Sequence, residues 1–201
     1  MMLEVNTVVG QAILPHVPAL ARLRRIVFRD WPYLYDGNDA YEAEYIATYA
    51  RCPRAALVIA WDGQEAVGVS SCLPLPDETE NVVAPFRAAG LDASQWFYFG
   101  ESVLLQAYRG TGVGVAFFDR RKAHAQSFNA YSHAAFCAVQ RPHDHPMRPP
   151  GAVPLDGFWH RRGFARHPGL TCTMRWRDLG HMDETDHTMQ FWTKDLIKDA
   201  A

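Results

Sequence analysis

Three glycines at alternate positions, Gly110, Gly112 and Gly114, follow an apolar strand-like run and precede a helix-like one. Because glycine has no Cβ, successive backbone amides in such a turn can point toward one position. The first turn of the following helix adds unpaired N–H groups and the positive end of the helix dipole. Together with Arg109 at the mouth of the turn, this pattern predicts a site for phosphate or pyrophosphate.

The glycine spacing differs from that of two common phosphate sites. A dinucleotide fingerprint requires GxGxxG and an acidic residue about 20 positions later, whereas this turn is GxGxG and residues 128–140 contain no Asp or Glu. A P-loop ends in Gly-Lys-Ser or Gly-Lys-Thr, and here Val115 and Ala116 follow Gly114. A strand-to-helix connection that binds no ligand also stays open.

Acidic and aromatic residues are concentrated between Asp30 and Glu44. This stretch holds five carboxylates, no Lys or Arg, and the rings of Trp31, Tyr33, Tyr35 and Tyr41. Carboxylates and ring faces both attract cations, which suggests recognition of a cationic ligand. A solvated helix start with carboxylates near its N-terminus explains the same pattern equally well.

Histidines occur with acidic residues in two segments, RPHDHP, with His143 and His145, and HMDETDH, with His181 and His187. Neither segment has the spacing of a known metal site, and a proline-rich loop offers a poor scaffold for ligands. We therefore expect no metal.

Hydrophobic patterning indicates the elements that must position these residues. AALVIA and EAVGVSSCL flank Asp62-Gly63, which is a strong hairpin signal. The other expected strands are Leu3–Val8, Trp96–Leu105, His133–Val139, Thr171–Arg177 and Thr188–Thr193, and the expected helices are Pro15–Arg29, Ala40–Arg51, Glu80–Ala89, Val115–Gln126 and a short piece at Gly157–Phe164. Five prolines make Pro142–Pro154 a loop, and Gly100 suggests a bulge or a close backbone approach. This order predicts an α/β fold with a partly antiparallel sheet.

Composition excludes several classes of protein. The 201 residues carry 20 Lys and Arg against 22 Asp and Glu, which argues against nucleic acid or an anionic membrane surface as a partner. No apolar run is long enough to span a bilayer, the N-terminus does not resemble a signal peptide, and the four cysteines are widely spaced. We expect one cytoplasmic domain, residues 1–201, with reduced cysteines.

Arg109, Gly112 and Gly114, in their strand-to-helix setting, resemble the signature of the GNAT superfamily of N-acetyltransferases. FWHRRGF, from Phe158 to Phe164, resembles that family's second element, a short helix that ends in Gly-Phe. The element order is also similar along nearly the whole chain. The resemblance implies the GNAT acyl-CoA N-acyltransferase fold, with a central, mostly antiparallel sheet flanked by helices, and is compatible with a homodimer.

The resemblance implies acetyl-CoA as co-substrate and direct transfer of its acetyl group to a primary amine of a small molecule. The backbone of Gly110, Thr111, Gly112, Val113 and Gly114, with Arg109, would hold the pyrophosphate. The pantetheine arm would pair with Val103, Leu104 and Leu105, and an N–H near Leu104 would polarise the thioester carbonyl.

Family members often carry a carboxylate on the central strand that accepts the proton of the amine, and Glu101 occupies such a position. The alternative is that Glu101 pairs with an arginine across the sheet or faces solvent. Many relatives have a tyrosine where this chain has Trp159, and an indole cannot act as a general acid. His160, Tyr131 or solvent could instead protonate the thiolate.

Two alternatives of another class follow from these departures. The domain could bind acyl-CoA as a sensor or interaction module without turnover, which the missing tyrosine favours. A nucleotide-binding regulatory domain is the third reading. Arg120, Arg121 and Lys122 could reach the 3′-phosphate of CoA, although a solvated helix face accounts for them more simply.

Overall fold

The strands and helices follow the order that the sequence predicts. The computed structural model describes residues 3–37 and 39–197. Its strands are β1 (Glu4–Val9), β2 (Ala56–Asp62), β3 (Glu65–Pro74), β4 (Trp96–Leu104), β5 (His133–Val139), β6 (Ala165–Arg177) and β7 (Glu184–Asp195). Its helices are α1 (Val17–Phe28), α2 (Asp39–Arg51), α3 (Glu80–Ala88), α4 (Val113–Gln126) and α5 (Asp156–His160).

The strands form one sheet in the order β1-β2-β3-β4-β5-β7-β6. Every neighbouring pair is antiparallel except β4 and β5, which are parallel. The hairpin between β2 and β3 is confirmed, with Asp62 paired to Glu65 and Gly63 at φ +59°. A mixed, mostly antiparallel sheet is therefore the framework, as expected.

The centre of this sheet is divided. Strands β4 and β5 pair only through Trp96–Tyr98 and His133–Ala135. Beyond these residues β4 continues to pair with β3, and β5 continues to pair with β7. The facing edges of residues 99–104 and 136–139 thus enclose an opening between two parallel strands, which we call the central cleft.

The helices cover both faces of the sheet. Leu57 and Ile59 of β2 pack in one hydrophobic cluster with residues of α1, α2 and α3. Their neighbours Val58 and Ala60 pack with Phe117 of α4 on the opposite face. Because side chains of a strand alternate between faces, α1, α2 and α3 lie on one side of the central cleft and α4 on the other.

Strands β6 and β7 are longer than the sequence predicts, and β7 extends from Glu184 to Asp195 where Thr188–Thr193 was expected. The run expected at Thr171–Arg177 begins instead at Ala165, and the register of β6 against β7 shifts between Arg166 and Thr171. Strand β6 lies at the edge of the sheet and has only β7 as a neighbour. Pro168 and Gly169 therefore disturb hydrogen bonding to one strand and not to two. The proline loop is confirmed as irregular from Pro142 to Pro154.

Within residues 3–37 and 39–197, no helix combines the length and the apolar character that crossing a membrane requires.

Candidate functional site

The glycine turn forms the N-terminus of α4. Gly110 and Gly112 have φ values of +80° and +90°, a backbone region that other residues adopt only with strain. Gly112 is the N-cap residue of α4. A Cβ added at either glycine would have no heavy atom within 4 Å, so this side of the turn is open to a ligand.

Five consecutive amides of this turn, from Gly110 to Gly114, are available to a ligand. Their N–H groups donate to no acceptor within the part of the chain that the structure describes, whereas the next two amides, of Val115 and Ala116, bond to the Gly112 carbonyl at 3.0 and 3.1 Å. Unpaired amides at the positive end of a 14-residue helix bind anions. This arrangement supports the predicted phosphate site.

Side chains before the turn fix its position. The Tyr108 hydroxyl donates to Asp62 of the β2–β3 hairpin at 2.8 Å, and the Thr111 hydroxyl donates to the Tyr108 carbonyl at 2.7 Å. Exposed Arg109 donates through Nε to the Leu104 carbonyl at 3.4 Å. The turn is thus tied both to the hairpin and to the end of β4.

Of the three residues expected to pair with the pantetheine arm, Val103, Leu104 and Leu105, only Leu104 directs its N–H to the central cleft. The N–H of Leu105 donates to Val67 of β3 at 3.0 Å, and Leu104 lies opposite Gly68. Hydrogen-bonded and non-hydrogen-bonded pairs alternate in an antiparallel ladder, so the N–H of Leu104 points away from β3 toward the cleft, while that of Val103 points to β3.

The same alternation turns the N–H of Ser102 toward the cleft. Ser102 pairs with Ser70 of β3, two positions before the Leu104–Gly68 pair, and its side chain is exposed. Sequence reasoning missed Ser102, although counting alternate residues back from Leu104 would have found it.

A bulge in β4 decides the direction of Glu101. The register of β3 against β4 shifts between Ser70 and Cys72, beside Gly100. Trp96 and Tyr98 before the bulge and Val103 after it belong to the cluster under α1 and α2. Because the extra residue reverses the alternation, Glu101 faces α1 and α2. The bulge expected at Gly100 is therefore present, and the atoms nearest to Gly100 are the side-chain hydroxyls of Tyr49 and Ser71.

We predict that Gly100→Ala destabilises the protein. The added methyl group would overlap the hydroxyl oxygen of Tyr49 and approach that of Ser71 to 2.5 Å. Overpacking of this kind costs about 1–3 kcal/mol of the free energy of unfolding. Urea denaturation measures the loss. The control is Gly157→Ala, at an exposed helical position without a positive φ, where the added Cβ would make only an ordinary contact of 3.6 Å with Arg161; equal stability of Gly100→Ala and wild type would contradict the described packing.

Glu101 is buried in a network of polar side chains. Its carboxylate forms an ion pair with Arg24 of α1 and accepts hydrogen bonds from Ser71 at 3.0 Å and Tyr49 at 3.3 Å. Arg24 also pairs with buried Glu42 of α2 at 2.5 Å. The pairing with an arginine that the sequence left as an alternative is therefore present, but the arginine comes from helix α1 and not from across the sheet.

Charge balance keeps Arg24 protonated. Burial lowers the pKa of its guanidinium, but the nearby Glu101, Tyr45 and Glu42 outweigh burial and raise it above the ordinary value. The second oxygen of Glu42, Oε1, is buried and has no hydrogen-bond partner in the described residues. One guanidinium thus faces two buried carboxylates directly.

A third buried carboxyl group, that of Glu78, completes this cluster. Its Oε1 accepts from the Tyr45 hydroxyl at 3.4 Å, and its Oε2 accepts from the Thr79 amide at 2.7 Å. Burial raises the pKa of Glu78 to about 7, and the negative charge of Glu101 adds to the rise. Sequence reasoning missed Glu78 and Tyr45, because no local pattern links them to Glu101.

Arg121 lies under the bulge, on the face that carries α4. It is 1% exposed, lies over the rings of Phe99 and Phe118, and donates to the carbonyls of Ser71 and Glu101 at 3.5 and 3.4 Å. Burial lowers its pKa to about 10. The interpretation of Arg120–Lys122 as a solvated helix face is therefore wrong for Arg121, which is buried and binds the two carbonyls at the bulge.

Trp159 and the two acid candidates, His160 and Tyr131, occupy separate places. Trp159 packs edge-on against Phe136 and Trp192 at ring distances of 5.1 and 4.9 Å. His160 is exposed. The Tyr131 hydroxyl accepts from Arg54 at 2.6 Å, just before β5 and thus at the closed end of the cleft.

The second sequence element packs against the glycine turn. A Cβ on Gly114 would lie 3.4 Å from the ring of Phe158, so α5 and the start of α4 are in contact. The structure therefore brings together the two elements that carried the resemblance.

Two of the five carboxylates in the acidic stretch pair with arginines. Asp36 pairs with Arg177 at 2.8 Å and with Arg29 at 3.3 Å, and Glu42 pairs with Arg24. Asp30 is exposed. The side chains of Asp39, Tyr41 and Glu44 lie outside the described residues.

Arg141 fixes the loop between α1 and α2. Its guanidinium donates to both oxygens of Asp178 at 2.7 Å and to the carbonyls of Pro32 and Tyr33 at 2.9 and 2.7 Å. Asp178 also accepts from the Trp176 indole at 3.0 Å. This buried pair ties the loop to β6.

The histidine segments do not converge on a metal site. In the described part of the chain, no group of three or more His, Cys, Asp or Glu side chains is arranged to hold a metal ion. His145 contacts Trp31 at a ring distance of 5.3 Å. His187 is stacked on Trp176 at 3.8 Å, and burial lowers its pKa.

No family model matches the sequence, and no curated protein matches it significantly. The acetyltransferase from Streptococcus agalactiae 2603 is 14% identical, with a TM-score of 0.61, over 96% of this chain and 98% of that one. An aminoglycoside 6′-N-acetyltransferase complexed with coenzyme A is 12% identical, with a TM-score of 0.58, over 98% and 97%.

A third structure carries the family name. The acetyltransferase of the GNAT family from Staphylococcus aureus Mu50 is 12% identical, with a TM-score of 0.55, over 96% of this chain and 99% of that one. These alignments span whole chains, and at such identities what they share is the fold. The divided seven-stranded sheet, flanked by helices on both faces, is the GNAT acetyltransferase fold.

Proposed function

We propose that this protein transfers the acetyl group of acetyl-CoA to a primary amine, directly and in a ternary complex. The observation that carries the proposal is the row of five unpaired amides at the N-terminus of α4, placed where β4 leads out of the central cleft. The likeness to a fold that contains acetyltransferases, one of them with coenzyme A bound, supports it.

The turn and the strand take different parts of the co-substrate. Gly110, Thr111, Gly112, Val113 and Gly114 donate their amides to the pyrophosphate, and Arg109 adds positive charge at the exposed edge. The pantetheine arm lies along β4 near Val103, Leu104 and Leu105, where the N–H of Leu104 faces the cleft. That amide polarises the thioester carbonyl and stabilises the negative charge that develops on its oxygen.

The chemistry needs an amine that has lost its proton. Glu101 accepts that proton, because it is the carboxylate that the bulge of β4 directs to the side of α1 and α2. The amine nitrogen then forms a bond to the thioester carbon, the bond from that carbon to sulfur breaks, and the nitrogen releases its second proton to solvent as the amide forms. Trp159 cannot act as a general acid, because its indole N–H donates hydrogen bonds but does not ionise at physiological pH. Solvent therefore protonates the leaving thiolate.

The acceptor is a small cationic amine. Glu42 and Glu101 both pair with the buried guanidinium of Arg24, and the carboxyl group of Glu78 lies in the same buried cluster, which favours positive charge nearby. Asp36 contributes little, because two arginines pair with it. The preference therefore rests on the buried cluster, to which the acidic stretch contributes Glu42.

A domain that binds acyl-CoA without turnover is the second candidate. The observation that favours it is Trp159 at the position of the family's tyrosine, packed against Phe136 and Trp192. Binding alone would require the glycine turn but not Glu101.

A thiol-release assay separates these functions. We expect free thiol to appear when acetyl-CoA is mixed with the protein and polyamines or aminoglycosides, and to appear more slowly with amino acids and peptides. Calorimetry with CoA, ATP and NAD runs in parallel. CoA binding without thiol release from any amine would favour the sensor, equal rates for cationic and anionic amines would contradict the acceptor class, and binding of ATP or NAD instead of CoA would overturn the proposal.

A further inference from the structure

Glu101 and Glu78 are joined by two tyrosine hydroxyls of α2. Tyr49 donates to Glu101 Oε2 at 3.3 Å, the hydroxyl oxygens of Tyr49 and Tyr45 are 3.3 Å apart, and Tyr45 donates to Glu78 Oε1 at 3.4 Å. Because tyrosines four positions apart lie on one face of a helix, α2 supplies both intermediate groups. The result is a continuous path of hydroxyl groups from the carboxylate of Glu101, on β4, to the carboxyl group of Glu78, in the segment between β3 and α3.

The two ends of this path differ in their partners. Glu101 shares Arg24 with Glu42, and a guanidinium beside a carboxylate favours its charged form. Glu78 has no ion-pair partner among the described residues, and its only donors there are Tyr45 and the Thr79 amide. The path therefore runs from a carboxylate that is paired with a guanidinium to a carboxyl group that has no such partner among the described residues.

We propose that Glu78 is the final acceptor of the proton that the amine loses, and that Tyr49 and Tyr45 conduct this proton from Glu101. The inference rests on the proposed acetyl transfer and extends it to a residue outside the central cleft. Glu101 contacts the amine directly. Tyr49, Tyr45 and Glu78 do not contact the amine and act through Glu101.

The transfer conserves protons at every step. The ammonium group gives one proton to Glu101 and becomes the nucleophilic amine. Protonated Glu101 then donates to the Tyr49 oxygen, whose own proton turns toward Tyr45, and Tyr45 passes its proton to Glu78 Oε1. Each hydroxyl releases one proton and receives one, so the net change is one proton fewer on the amine and one more on Glu78.

The surroundings of Glu78 suit this role. The titratable and charged groups whose electrostatics couple to it come from α1, α2, β4 and β5: Arg24, Tyr45, Tyr49, Tyr98, Glu101 and Cys137. Burial raises the pKa of every tyrosine in this set well above 10, so these side chains stay neutral. With a pKa of about 7, Glu78 can both take up a proton and release it near neutral pH.

The test compares pH profiles of kcat for wild type, Tyr45→Phe, Glu78→Gln and the double variant. We expect wild-type kcat to rise with pH through about 7, as Glu78 becomes able to accept a proton. Each single variant should lose this inflection, with kcat at pH 7 lower on the order of tenfold. This loss of kcat is smaller than the roughly 10²–10⁴-fold contribution of a group that exchanges protons with the substrate directly, because Glu101 can still accept the proton of the amine in these variants. The double variant should be no slower than either single one.

Tyr98→Phe is the matched control, because Tyr98 is also buried on this face and its hydroxyl contacts Cys137 at 3.1 Å, outside the path. Its profile should match that of wild type. Additive losses in the double variant, or an inflection near pH 7 that survives Glu78→Gln, would overturn the relay while thiol release by the wild type still supports acetyl transfer. No thiol release from wild type would overturn both.

Thermal unfolding gives a readout that does not depend on turnover. Because the folded-state pKa of Glu78 is raised, the folded protein holds this proton between about pH 4.3 and pH 7, where the unfolded chain has released it. Glu78 therefore lowers the Tm as pH rises through that window. Glu78→Gln should remove this fall, and an identical pH dependence of Tm in wild type and variant would overturn Glu78 as the proton acceptor.

Discussion

Gly112→Asp should lower the affinity for acetyl-CoA by at least about 100-fold, the equivalent of roughly 2.7 kcal/mol. An aspartate at the N-cap of a helix accepts hydrogen bonds from the amides of the first turn. In α4 these are the unpaired amides proposed to hold the pyrophosphate. The new carboxylate would occupy them and repel the phosphates, and two charge-assisted hydrogen bonds of about 1.5–3 kcal/mol each account for the loss. Isothermal calorimetry with CoA measures it.

Gly90→Asp separates this effect from backbone strain. Gly90 has φ +73° and, like Gly112, no heavy atom within 4 Å of an added Cβ, but it follows α3 rather than beginning α4. Both variants place an aspartate in the left-handed region, so both should lose a similar stability. Only Gly112→Asp should lose affinity, and wild-type affinity in that variant would defeat the proposed pyrophosphate site.

The parts of this site that sequence could predict are local. Asp62-Gly63 specifies a hairpin because few other dipeptides adopt its turn, and the glycine turn is recognisable because positive φ values require glycine at Gly110 and Gly112. Even the bulge is signalled by a glycine, Gly100, inside a strand. In each case the residue type and the backbone conformation determine one another over a few positions.

The acceptor side depends on contacts that no local pattern records. Arg24 and Glu101 are 77 positions apart, and their pairing requires that the bulge reverse the alternation of β4 and that α1 turn Arg24 toward the sheet. Glu78 belongs to the same cluster only because the chain after β3 returns beside α2. For that reason the sequence pointed to the acidic stretch as a whole, whereas in the structure its Glu42 shares one buried cluster with Glu78 and Glu101.

Glu101→Gln should lower kcat by about 10²–10³-fold, within the range for loss of a general base. Glutamine keeps an oxygen that accepts from Tyr49 and Ser71, but it cannot take a proton from the amine. The KM for acetyl-CoA should change little, because the amides of the glycine turn are unaltered. Steady-state kinetics by thiol release, at saturating amine, gives both constants.

Asp178→Asn controls for the loss of a buried ion pair. Asp178 binds Arg141 through two hydrogen bonds of 2.7 Å, so this variant, like Glu101→Gln, leaves a buried guanidinium short of a carboxylate, which destabilises a protein by up to about 3–5 kcal/mol. Both variants should therefore unfold at lower temperature. Asp178→Asn should keep the wild-type kcat at saturating amine, since Asp178 holds the loop between α1 and α2 and exchanges no proton. Equal kcat values for the two variants would assign Glu101 to the stability of the cluster, and the base would have to be sought elsewhere.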